Sequence, residues 1–178
     1  MHRLFVAIRP PFSILQACLK AMEDGPPGWA WQTEEQLHVT LRYIGQVDRP
    51  VAEDVAAALA SVYAPKIELA LSGVGWFDHG PRGALFARLA PADPLAALHT
   101  KIDRALVRAG LKPEGRAFLP HITLARRRSA AVDPSGWIDR NARLASEVEV
   151  VTSIILFESH LGRQGSSYEE IASYPLAG

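Results

Sequence analysis

Leu37-His38-Val39-Thr40-Leu41 and Pro120-His121-Ile122-Thr123-Leu124 share one pattern, in which histidine, an aliphatic residue, threonine and another aliphatic residue follow in order. The two copies lie 83 positions apart (121 less 38). In an extended strand, residues i and i+2 project from the same face. Each copy is therefore predicted as a strand that presents an imidazole and a hydroxyl on one side. Val39 and Leu41, or Ile122 and Leu124, anchor the other side in a core. Each copy is preceded by a helical stretch and a turn. Two similar half-units related by pseudo-symmetry would set these strands side by side.

Outward from the motifs, strands and helices alternate. Arg3 to Ile8 reads as a first strand, and Phe12, Leu15, Leu19 and Met22 recur at helical spacing until Gly25-Pro26-Pro27-Gly28 breaks the chain. The first motif lies in a strand from Leu37 to Ile44. Pro50 opens a helix striped by Val51, Val55, Leu59 and Val62. Ile67, Leu69 and Leu71 alternate with Lys66, Glu68 and Ala70 as a half-buried strand, and Ala84 to Leu89 follows as another. Asp93-Pro94 is expected to cap a helix carrying Leu95, Leu98, Ile102 and Leu106, ended by Gly110. Strands are predicted at His121 to Arg126, Val148 to Phe157 and Tyr168 to Tyr174, with Gly162 to Ser167 turning between the last two.

The whole chain sets bounds on this reading. Its 178 residues suit one compact domain, and 48% hydrophobic with 21% charged residues is the balance of a globular protein. Cys18 is the only cysteine, so no intrachain disulfide and no cysteine-based zinc site can form, in keeping with a reducing cytoplasm. Leu4 to Ile8 is too short for a signal-peptide core, and no apolar run approaches the roughly 18 residues of a spanning helix. Basic and acidic residues balance at 19 each. A protein that coats long nucleic acid uses a basic excess to displace counterions, so any RNA bound here is expected to be gripped at one end.

Two imidazoles facing one pocket suit displacement at phosphorus. A neutral ring takes a proton from attacking water while a protonated one gives a proton to the leaving oxygen. The unperturbed imidazole pKa of about 6.5 makes both forms accessible near neutrality. Threonine hydroxyls can donate to the non-bridging phosphate oxygens, and an arginine would add a charged fork. A single His-x-Thr on a strand is usually a satisfied core histidine, but two copies with the same apolar partners are not explained that way. Threonine is a poor zinc ligand, so acid–base chemistry without metal or cofactor is the expectation.

At these two motifs the chain resembles the two-histidine (2H) phosphoesterase superfamily, and within it the RNA 2′,3′-cyclic phosphodiesterases also called 2′-5′ RNA ligases. The likeness runs from Arg3-Leu4-Phe5-Val6-Ala7-Ile8 through His38-Val39-Thr40-Leu41-Arg42-Tyr43-Ile44-Gly45 and Phe118 to Arg126, closing at Phe157-Glu158-Ser159-His160-Leu161 and the Tyr168 strand. It implies an α+β fold: one domain over residues 1–178 made of two pseudo-symmetric lobes. Each lobe is a duplicated β-α-β-type unit, with mainly antiparallel sheets around a central cleft. It also implies metal-independent hydrolysis of RNA 2′,3′-cyclic phosphate ends to 2′-phosphate ends, with weak reverse 2′-5′ ligation. His38 would be the general acid, His121 the general base, Thr40, Thr123 and Arg126 the phosphate-binding groups, and Tyr43 the platform for the terminal base. A monomer is the default state.

Strand alternation disagrees with two of those roles. Tyr43 and Arg126 each lie five positions after their histidine, which turns them to the opposite face and puts Arg42 and Arg127 on the histidine face instead. A bulge near the strand end would re-aim the fifth residue, and all three arginines stay open. Arg126-Arg127-Arg128 otherwise reads as a solvated strand end. His2, His79, His99 and His160 are expected to be structural, Trp29 and Trp31 core or cleft wall, and Tyr168 a packing residue. Two other functions fit the same residues: a non-catalytic RNA-end or nucleotide sensor, and a phosphodiesterase acting on another cyclic phosphate or a 2′-5′ oligonucleotide.

Overall fold

Alternating burial builds the strands. Ile67, Leu69 and Leu71 are buried while Lys66 and Glu68 are exposed, so β4 (Ile67–Phe77) turns one edge of its pleat to the core. β1 (His2–Ile8) is covered on both faces. Leu4, Val6 and Ile8 enter the main core, while Phe5 and Ala7 join Ile155 and Phe157 in a second cluster capped by Tyr168. The computed structural model describes residues 1–177, and Gly178, the last residue of the expected domain, lies outside the described residues.

The remaining strands are β2 (Trp29–Trp31), β3 (Val39–Val47), β5 (Ala84–Ala90), β6 (His121–Arg127), β7 (Glu149–Val151), β8 (Ser153–Gly162) and β9 (Gly165–Pro175). They form one antiparallel sheet ordered β7-β4-β5-β6-β3-β1-β8-β9, with β2 added on β6. The order is palindromic about the β6–β3 junction: β5 flanks β6 as β1 flanks β3. Only Thr152 separates β7, at one end of this order, from β8, near the other. A one-residue link cannot cross a flat eight-strand span at roughly 4.8 Å per strand, so the sheet curls until its ends approach. Leu176 N–H to Thr152 O (2.8 Å) and Ala177 N–H to Ala64 O (2.8 Å) fasten that closure.

Four helices accompany the sheet: α1 (Phe12–Met22), α2 (Arg49–Ala60), α3 (Ala92–Arg108) and α4 (Ser135–Arg140). Asp48 caps α2 by accepting from Val51 N–H (3.0 Å), and Val55 and Leu59 are fully buried beneath it. Leu95, Leu98, Ile102 and Leu106 bury the expected stripe of α3. No helix among the described residues is long and apolar enough to cross a membrane.

Several expectations need correction. Phe12 is 74% exposed, and α1 packs through Ile14, Cys18 and Ala21, because the apolar face centres one residue off the Phe12 stripe. Asp93 lies inside α3, whose N-cap is Pro91 without a side-chain cap. The long strand expected from Val148 to Phe157 is two strands broken at Thr152, each pairing at a different edge. The last turn is only Arg163-Gln164, with Gly165 at φ 105° supplying the conformation a tight hairpin needs.

Candidate active site

β3 and β6 meet through a single registered pair, Val39 opposite Ile122, both buried. Extending that antiparallel register by one residue sets His38 against Thr123 and Thr40 against His121. All four then stand on the face opposite the Val39–Ile122 pair. Both motifs, far apart in sequence, therefore share one stretch of cleft floor at the centre of the palindrome.

Each motif then contains a bulge. Opposite β1, Ala7 pairs with Thr40 and Val6 with Arg42, leaving Leu41 as the extra residue. Opposite β5, Phe86 pairs with Thr123 and Leu85 with Ala125, leaving Leu124 as the extra residue. The consequence is two consecutive inward residues, Leu41-Arg42 and Leu124-Ala125, all buried. The residue five positions after each histidine returns to the histidine face, and both Tyr43 and Arg126 are exposed there. A bulge takes a carbonyl out of the ladder, and both are answered: Leu41 O accepts from His99 Nδ1, and Leu124 O accepts from Gln32 N–H (2.9 Å).

The imidazoles are held alike. His38 Nδ1 lies 2.7 Å from Gln36 O and His121 Nδ1 2.6 Å from Leu119 O, each two residues upstream. A carbonyl oxygen only accepts, so Nδ1 carries the proton in both neutral rings, and Nε2 is left as the free lone pair. Neither Nε2 has a protein partner, and no partly buried side-chain nitrogen or oxygen among the described residues is both sealed from solvent and unpaired. Both Nε2 atoms therefore remain reachable. Phe5 (5.0 Å) and Tyr168 (5.2 Å) wall the His38 ring, while Phe77 (5.3 Å) and Phe86 (5.4 Å) wall that of His121.

This apolar packing sets the electrostatics. Burial lowers the His38 pKa to about 4; the Gln36 carbonyl opposes the shift, and the charges of Arg126 and His121 add to it. Burial likewise lowers His121, with the Leu119 carbonyl opposing and Arg126 reinforcing. Near neutrality, without an anion bound, both rings are neutral. The charge of Arg126 also acts on the Tyr168 phenol, opposing the rise that burial causes there.

The three arginines separate clearly. Arg42 is buried and fully occupied by Asp103 Oδ1 (2.8 Å) and by the Tyr43 and Lys112 carbonyls. Arg127 is tied to Asp78 Oδ1 (2.8 Å) and Gly80 O (3.1 Å), and lies over Trp29 and Trp76. Simple alternation favoured these two; the bulges turn them into structural groups. Arg126 carries no ion pair among the described residues. Thr40 and Thr123 hydroxyls likewise have no protein hydrogen bond there.

Phe77 and Phe86, which wall His121, are the participants that sequence reading passed over, while Tyr168, expected to pack, does so against the His38 ring. His79 stacks on Phe77 (5.7 Å) and borders a concavity of about 460 Å³ that also includes Thr40, Tyr43, Phe118 and His121. His99 is structural, stacked on Phe118 at 4.5 Å besides holding the Leu41 bulge. Trp29 is buried and Trp31 walls a second concavity. Glu158, His160 and Glu169 bring metal-capable atoms within 4.8 Å of one another, with His160 on Glu169 (2.9 Å) and His2 on Glu158 (2.7 Å). Neither His38 nor His121 belongs to that group, and two imidazoles with two threonine hydroxyls form a poor zinc donor set.

Comparison with known proteins follows the same lines. A family model described as the 2′-5′ RNA ligase superfamily matches residues 17–150. The chain is 35% identical over 144 residues to an RNA 2′,3′-cyclic phosphodiesterase of Aeropyrum pernix, covering 78% of this chain and 81% of that one. A Methanocaldococcus jannaschii protein of the same name is 26% identical over 183 residues, covering 97% and 99%. Among solved structures, E. coli LigT without ligand superposes with a TM-score of 0.79 at 22% identity, covering 99% of this chain and 98% of that one.

Proposed function

The chain belongs to the 2′-5′ RNA ligase superfamily, and from that membership we propose that it is an RNA 2′,3′-cyclic phosphodiesterase that opens cyclic phosphate ends with His38 and His121. The observation that carries the mechanism is the matched pair of imidazoles. On adjoining strands, each is pinned through Nδ1 to the carbonyl two residues upstream and left with a reachable Nε2.

In this reading His121 Nε2 removes a proton from water as its oxygen forms the new bond to phosphorus. The P–O3′ bond breaks, and protonated His38 Nε2 delivers its proton to the departing O3′. The products are a 2′-phosphate and a free 3′-hydroxyl. Thr40, Thr123 and Arg126 hold the non-bridging oxygens, and Tyr43 offers its exposed ring to the terminal base. Because burial keeps both imidazoles neutral in the free protein, the negative charge of the phosphodiester is what draws a proton onto the acid. With a 5′-hydroxyl in place of water as the attacking group, the same groups form the new bond to phosphorus and break P–O3′, which joins the two ends through a 2′-5′ linkage and frees the 3′-hydroxyl. RNA ends are the substrate class, and the protein acts without metal, as a monomer in the cytoplasm.

The test is product identification. Nucleoside 2′,3′-cyclic phosphates incubated with the protein in EDTA should give only 2′-phosphates by phosphorus NMR. A 3′-phosphate product, or activity that disappears with the chelator, would overturn the scheme.

A further inference from the structure

A second concavity, of about 540 Å³, is bordered by Gln36 and Tyr168, which contact His38, whereas the Tyr43 concavity is bordered by His121. Leu119, whose carbonyl holds His121, borders the Tyr43 side, while Gln36, whose carbonyl holds His38, borders this one. Their chemistry differs. The Tyr43 side sets Glu114 with Arg42 and Arg116 among its aromatic rings, whereas this side gathers Arg126, Arg128 and Arg163 with Trp31 and Tyr168 and has no carboxylate in its lining.

Three guanidinium groups around one hollow repel each other, and in a chain of zero formal charge their convergence is not a matter of composition. None of the three has a carboxylate partner among the described residues. They arrive from two distant segments: Arg126 and Arg128 from the end of β6, and Arg163 from the tip of the β8–β9 hairpin. Gln36 fixes that tip by donating from Nε2 to Ser166 O (2.8 Å), so the hairpin is held over the hollow. Guanidinium forks match phosphate oxygens, and the Trp31 and Tyr168 rings offer faces on which a base can stack.

We infer that this hollow is a second-nucleotide subsite, in which Arg128 and Arg163 bind the phosphodiester next to the scissile phosphate, so that the protein favours oligonucleotide ends over single nucleotides. The inference rests on the cyclic phosphodiesterase reading for its substrate class. Its geometry, one phosphate between the histidines and another between the arginines, is separate from the acid–base step.

The experiment compares wild type with the double variant Arg128→Gln/Arg163→Gln on two substrates, a mononucleoside 2′,3′-cyclic phosphate and a tetranucleotide ending in one. KM for the tetranucleotide should rise about tenfold or more, the scale of losing a charged hydrogen bond. The mononucleoside constants should stay unchanged. The salt dependence of tetranucleotide affinity should also become shallower by about 0.7, for one phosphate on a single strand. Equal loss on both substrates, or none on the tetranucleotide, overturns the subsite. Fluorescence anisotropy with a labelled tetranucleotide 2′-phosphate reads the same contrast without turnover. Failure of hydrolysis with intact discrimination in binding would sink the catalytic reading and leave the subsite standing.

Discussion

Leu41 and Leu124 are the same structural residue occurring twice, each the extra member of a bulge one position after the motif threonine. That shared irregularity decides which side chains face the cleft. It puts Tyr43 and Arg126 beside the histidines and sends Arg42 and Arg127 into structural contacts.

Arg42 and Arg126 should therefore separate stability from catalysis. Removing the buried Arg42 takes the cation from Asp103, which keeps only the Glu114 N–H, and takes a donor from two carbonyls, so Arg42→Ala should lower unfolding stability by about 3 kcal/mol in urea titration. Arg126→Ala should leave the urea midpoint near wild type while lowering kcat/KM by two to three orders of magnitude, the scale of a transition-state donor, roughly 10²–10³. The reverse outcome would mean the bulges do not set the site as described.

His38→Ala and His121→Ala should each lower turnover of a nucleoside 2′,3′-cyclic phosphate by roughly 10²–10⁴, with the fold retained by circular dichroism. A substrate whose 3′ bridging oxygen is replaced by sulfur tells the two roles apart, because a thiolate leaves without a proton. Activity on it should return in His38→Ala and stay lost in His121→Ala. Rescue of the His121 variant instead would exchange acid and base.

Protonation opposes the folded state at His38, whose pKa falls from 6.5 to about 4 on folding. Its neutral form therefore contributes stability that is fully present above pH 6.5 and is lost as the pH falls toward 4. Thermal unfolding of wild type should decline over that window more steeply than that of His38→Asn, which cannot titrate. Binding of a nucleoside 2′-phosphate near pH 7 should take up a proton, read as a dependence of calorimetric heat on the buffer's ionisation enthalpy. Binding with no proton uptake would contradict neutral rings in the free protein.

Val39 and Ile122 are the registered contact between the two motif strands. Ile122→Ala should cost about 2–5 kcal/mol as a buried cavity. By loosening the β3–β6 junction, it should also depress kcat in the fraction that remains folded. Stability loss with unchanged kcat would show that the junction does not position the rings.

The periodicity of the motifs was legible because Val39, Leu41, Ile122 and Leu124 mark the buried face plainly, and the two motif strands pair through Val39 and Ile122. The bulges were not. Leu41-Arg42 and Leu124-Ala125 are pairs whose second member is buried for reasons that lie elsewhere: Asp103 for Arg42, and the packing of β5 and β2 for Ala125. β2 is three residues long and α4 six, too short for a period to show. The basic hollow was hidden because Arg163 and Arg126 share no local pattern; only the hairpin tip and its Gln36 tether unite them.

A floor built from two copies of one motif has no inherent sense of direction: two equivalent imidazoles and two equivalent hydroxyls would treat either ribose oxygen alike. Handedness enters at the fifth position, where one half offers a phenol ring and the other a guanidinium. In the proposed reaction, an RNA end would take its orientation from this pair, Tyr43 on one side and Arg126 on the other, and the choice of departing oxygen would follow from that local asymmetry.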